Sequence, residues 1–146
     1  MSSVGPSLAT LVAVDADFKP AVYLPDHFNN AEQNAQLIRT YIPTLASIDL
    51  LTEVANSLRP ASQQRASMLH GTFGTGKSDL LLILCNYFSR SVDDPVMQPF
   101  YEKLRRIDET RHNTIYQIRA NIPPFLVVLL QANAVTPFVG VYSTRP

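Results

Sequence analysis

The sequence predicts an α/β fold whose amino-terminal part is helical, and three observations carry that expectation. A short apolar stretch, "ASMLHG" (66–71), runs straight into a glycine-rich turn. The turn leads into "DLLLILCNYF" (79–88), apolar nearly all round from Leu80, as suits a helix buried between a sheet and other elements. Farther on, "PPFLVVLLQANA" (123–134) sets a continuous Phe, Leu and Val run after two prolines, the pattern of a strand buried on both faces of a parallel sheet. Strand, helix, further helix, strand is a βαβ crossover.

The remaining elements follow in order. Residues 1 to about 28 read as an extended lead-in, with edge strands allowed in Leu8–Val14 and in "FKPAVYLP", where Pro20 and Pro25 interrupt β-type residues. In "NNAEQNAQLIRTYIPT", Asn30 is placed to cap a helix, Gln33 sits at the capping-box position, and Leu37, Ile38, Tyr41 and Ile42 form one apolar face. Pro43 ends or kinks that helix. In "TLASIDLLTEVANSLRP", Ile48, Leu51, Val54, Ala55 and Leu58 recur at helical spacing until Arg59 and Pro60. After the loop "SVDDPVMQP", Phe100, Leu104 and Ile107 share one helical face, with Lys103, Arg105, Arg106 and Glu109 on a solvated side. No internal repeat or low-complexity tract occurs. The expected division is an extended lead-in and helical preamble over 1–60, then a partial nucleotide-binding core over 61–146.

Composition narrows the function classes. The 146 residues include 46% hydrophobic and 16% charged side chains, enough for one domain with a core. Twelve basic and twelve acidic residues give zero formal charge and a pI near 6.8, so bulk electrostatics indicate neither nucleic acid nor an anionic membrane as partner. The single Cys85 excludes an internal disulfide and a multi-cysteine metal site, and its leucine-rich setting predicts a buried thiol. With no basic leader before its first apolar patch and no apolar run of membrane-spanning length, the chain is expected in the cytoplasm.

Residues 71–78, Gly-Thr-Phe-Gly-Thr-Gly-Lys-Ser, satisfy G-x-x-x-x-G-K-[ST], the phosphate-binding P-loop. Gly71, Gly74 and Gly76 permit the backbone angles and close approach by which successive N–H groups converge on phosphate oxygens, while Thr72, Phe73 and Thr75 supply the intervening amides. The helix beginning near Lys77 adds its unpaired amides and positive dipole end. Lys77 is expected to bridge the β- and γ-phosphates, and Ser78 to offer its hydroxyl to Mg²⁺. Asp79 follows in the first turn, where it could orient Lys77 or a water or simply complement the helix dipole. A chance match in a chain of this length is on the order of one in a few hundred. The motif in its expected strand–turn–helix setting therefore points to a nucleoside triphosphate in a P-loop NTPase-type three-layer sandwich. His27 and His112 have no metal-ligand spacing and read as surface residues, and His70, just before the loop, could touch a nucleotide or simply lie at the surface.

Hydrolysis also requires an acid for Mg²⁺ and a group to position water. At the end of the later strand stand Gln131 and Asn133, so that acid is not identifiable, and one crossover leaves the expected sheet incomplete. The sequence thus reads as truncated, and the chain alone is expected not to turn over ATP.

Taken together, "LPDHF", "YIPT", "ANSLRP", "RASMLHGTFGTGKSDLLLIL" and "VVLLQANA" resemble the start of the large P-loop ATPases of bacterial phage-exclusion (BREX-type) defence systems. The resemblance covers most of the chain, and the P-loop is its specific part. Phe73 and Asp79 depart from the Tyr and His that members tend to carry. The resemblance implies ATP with Mg²⁺, protein partners within a defence complex, and further catalytic groups in segments beyond residue 146. Two readings from other classes stay open: a regulatory or interaction module that binds nucleotide without hydrolysing it, and a small-molecule kinase. No N-K-x-D sequence occurs to read guanine.

Overall fold

A computed structural model describes residues 23–64, 66–72, 74–133 and 136–142, those from 131 onward by backbone alone. The expected edge strands before residue 23, and Phe73, lie outside the described residues. Among the described residues six helices precede a two-stranded ribbon: α1 Leu24–Asn29, α2 Ala31–Thr40, α3 Leu45–Ser57, α4 Lys77–Ser89, α5 Gln98–Ile107, α6 Glu109–Ala120, β1 Val128–Asn133 and β2 Thr136–Tyr142. Among the described residues no helix is long and apolar enough to cross a membrane.

Local chemistry accounts for most boundaries. Pro25 sits in the first turn of α1, where its missing N–H has no helical partner to lose. The expected extended lead-in is therefore corrected at Leu24–Asn29, which is helical. Asn30 caps α2, its Oδ1 accepting from the Gln33 N–H at 3.0 Å. Thr44 and Ser47 form a reciprocal capping box at the start of α3. Asp108 separates α5 from α6 and caps the latter, accepting from the Arg111 N–H at 2.9 Å. That cap assigns Glu109 to a second helix, which the sequence reading did not separate from the first.

One core joins these helices across residue 60. Ile38 of α2, with Ile48, Leu51, Val54 and Ala55 of α3, packs with Leu80, Ile83, Leu84 and Tyr87 of α4 and with Phe100, Tyr101, Leu104, Ile115 and Ile118 of α5 and α6. A smaller cluster sets Phe28 of α1 on Leu82 and Cys85 of α4, with Val127 and Leu129 against it. Polar groups fasten the same helices. Asn34 and Asn86 exchange side-chain hydrogen bonds at 3.1 and 2.8 Å, and Asn34 Nδ2 also donates to the Phe28 carbonyl at 3.2 Å. The Tyr87 hydroxyl donates to Ile115 O at 3.0 Å, and the buried Arg119 guanidinium donates to the carbonyl of Arg90, beyond the end of α4, with Nε at 2.9 Å. Among the described residues no buried side-chain donor or acceptor lacks a partner.

The three-layer α/β P-loop sandwich is contradicted: the described fold is predominantly helical. "ASMLHG" forms no strand, and Met68 is 91% exposed. The later run does form a strand, but β1 pairs antiparallel with β2, in register Val128↔Tyr142 to Gln131↔Val139, and not in parallel beside the segment before the loop. Its burial is one-sided. Val127 and Leu129 face the smaller cluster, whereas Leu126 and Leu130 are 65% and 60% exposed. Nine residues between Leu130 and Gly140 suffice for an antiparallel return, while a parallel pair needs a crossover to bring its strands side by side. An apolar run alone does not select between them. Ile42 and Ile107, expected on apolar faces, are 77% and 45% exposed because each lies at or past the end of its helix.

Candidate phosphate-binding loop

The described residues between Gln64 and Gly76 carry little burial of their own. Ala66, Ser67, Met68, His70, Gly71, Thr72, Gly74, Thr75 and Gly76 are exposed, and Leu69 is half-buried against the main core. What positions the turn is the helix behind it. Gly74 and Gly76 have φ values of +77° and +74°, in the left-handed region that a Cβ disfavours. Gly76 is the N-cap of α4, and its carbonyl already accepts from the Leu80 N–H at 3.0 Å. Gly76 has no side chain with which to cap this helix, so its first-turn amides are left open to another partner.

Within the turn, the Thr75 hydroxyl donates to Thr72 O at 2.9 Å. Lys77 curls back over it, its ammonium donating to the same Thr72 carbonyl and lying 3.3 Å from Thr75 Oγ1. Nζ also lies 3.9 Å from where a Cβ on Gly71 would stand, so Gly71, Thr72, Thr75 and Lys77 close a ring of neighbours. Of the predicted site residues, Gly71 and Thr72 form one limb of the turn, Gly74 and Thr75 its tip, Gly76 the cap, and Lys77, Ser78 and Asp79 the first helical turn. These residues fit a triphosphate: two left-handed glycines, an uncapped helix start and an ammonium converge. Ser78, exposed in that first turn, is placed to share a Mg²⁺ ion with phosphate oxygens. Bound there, Mg²⁺ would supply charge neutralisation.

The fold adds two groups to this end of α4. His27 of α1 lies near enough to act electrostatically on Asp79, and Tyr41, just after α2, feels the Asp79 charge. Partial burial raises the Asp79 carboxyl above its ordinary range, with His27 opposing the shift. Burial likewise raises Tyr41, against a hydrogen bond to Ser47, and Asp79 adds to the rise. His27 Nδ1 donates to Tyr23 O at 2.7 Å. The surface reading of His27 is thus corrected to a half-buried residue beside the loop helix, a placement with no local sequence signal. His112 is also half-buried, with ring centroids 6.2 Å from Tyr101 and 5.6 Å from Tyr116, whereas His70 is exposed as expected. Burial pushes the Cys85 thiol up to about 11.

β1 meets α4 at Leu82 and Cys85, beyond the first turn, and Gln131 and Asn133 pair with Val139 and Thr136 of β2. A surface cleft of about 420 Å³ lies away from the loop, where Asp49 and Glu53 of α3 face Arg111 of α6. Its charges are largely engaged locally: Arg111 pairs with Asp49 at 2.6 Å and Asp108 at 3.0 Å, and Glu53 accepts from Gln64 at 3.0 Å. No protein-family model, curated protein or solved structure matches the chain.

Proposed function

We propose that the loop over residues 71–79 forms the site for the phosphates of a nucleoside triphosphate, ATP with Mg²⁺, on a helical scaffold. The observation that carries this reading is the junction at Gly76, where a P-loop sequence with two left-handed glycines meets the uncapped start of a buried helix and Lys77 folds over the turn. Triphosphate oxygens take the amides of Gly74 to Ser78. The Lys77 ammonium exchanges Thr72 O for phosphate, and Ser78 shares the metal. The resemblance to phage-exclusion ATPases supports a cytoplasmic ATPase working with protein partners of a defence assembly. A binding-only module is the second reading, favoured because β1 pairs back on β2 and brings no acidic residue to the loop.

Titration calorimetry with ATP–Mg²⁺ tests the assignment. Lys77→Ala is expected to weaken binding by roughly 10- to 100-fold, the worth of a hydrogen bond to a charged group, with unchanged circular dichroism because Lys77 bonds only within the turn. Equal affinity in two folded proteins would remove the loop from the reading.

A further inference from the structure

The first turn of α4 already carries an anion of its own. Asp79 Oδ2 lies 3.9 Å from the place a Cβ would occupy on Gly76, so the carboxylate stands beside the residue whose amide opens the helix. At that position its charge interacts favourably with the positive end of α4. It also lies close enough to an anion on the same turn for repulsion between them to be felt.

The setting holds it there. Asp79 is half-buried, and Leu82, one turn along α4, is covered by Phe28 of α1. Asn86, a further turn on, is clamped by Asn34 of α2. The charged and titratable neighbours are His27 from α1, Tyr41 from the segment after α2, and Lys77 from the turn itself, the last engaged with Thr72 and Thr75. We propose that Asp79 sets the affinity of the loop by competing with phosphate: its negative charge, set beside Gly76 at the helix start, opposes entry of a second anion. This rests on the triphosphate reading of residues 71–79. It makes Asp79 an affinity-setting residue, not a phosphate ligand, and lets the site exchange nucleotide more readily than an uncharged first turn would.

The experiment uses the full 146-residue chain, with ATP–Mg²⁺ and, separately, inorganic tripolyphosphate as probes. Asp79→Asn and Asp79→Ser are expected to bind both probes roughly three- to tenfold more tightly, the range expected for one charge at a helix terminus. Asp79→Glu, which keeps the charge, should stay near wild-type affinity. The neutral variants should not melt earlier without ligand, because burial already disfavours the charged carboxylate, whereas a purely structural role for the charge would lower the melting temperature. Unchanged or weaker binding in both neutral variants, with binding still weakened by Lys77→Ala, overturns the competition while leaving the triphosphate reading intact. No binding of either probe by wild type and by Asp79→Asn overturns both.

Discussion

The loop end and the body of α4 are one helix in two environments. From Leu82 to Tyr87 every residue is buried, and the helix is gripped from several sides by Phe28, Asn34, Ile115 and Arg119. A few residues earlier the chain is exposed, held by hydrogen bonds among Thr72, Thr75 and Lys77. Stability resides in the first region and the proposed binding in the second. The core fixes where α4 begins and which way its amides face, while the turn can exchange its own contacts for those of a ligand at little cost to the fold.

The largest expected break of this contrast is in the core. Phe100, 2% exposed and in ring contact with Tyr41 and Tyr101, is expected to cost about 4 kcal/mol on Phe100→Ala, read as a lowered denaturant midpoint. Next comes the polar clamp. Asn86→Ala strips an acceptor from both Asn34 and Arg90 and should cost about 2 kcal/mol. A cycle with Asn34→Ala should be non-additive by roughly 1 kcal/mol, because the two amides bond each other; strict additivity would show that they do not act as a pair. The smallest effect belongs to the turn. Gly76→Ala forces a Cβ into a φ of +74° with no close neighbour, and should cost about 1 kcal/mol of stability. The same variant should weaken ATP binding, since any relief of that strain turns the first amides of α4. If Gly76→Ala destabilised the fold as much as Phe100→Ala, loop and core would be one cooperative unit and the contrast would fail.

What could be read from short windows was largely correct where packing agreed with it. Asn30 as a cap, the Ile48, Leu51, Val54 and Ala55 face of α3, the start of α4 at Lys77 and the buried Cys85 all depend on residues within a turn or two of one another. Reading α1 as extended failed because Pro25 was taken as an interruption, although proline is equally at home in a first helical turn. The unseparated α6 had a local signal, Asp108 three residues before Arg111, that the charged stretch around it concealed.

By itself the sequence determined the glycine turn, the helix that follows it and the residues offered to an anion, because φ preference, capping and helical periodicity are properties of neighbouring residues. Only the tertiary structure decided that "ASMLHG" lies exposed without a strand partner, that β1 turns back antiparallel onto β2, and that His27 and Tyr41 stand by Asp79. The physical reason is that strand pairing and charge partnership are choices among distant segments. An apolar run such as Phe125–Leu130 can satisfy its backbone with any strand that reaches it, and the partner is selected by loop length and by which helices already cover α4.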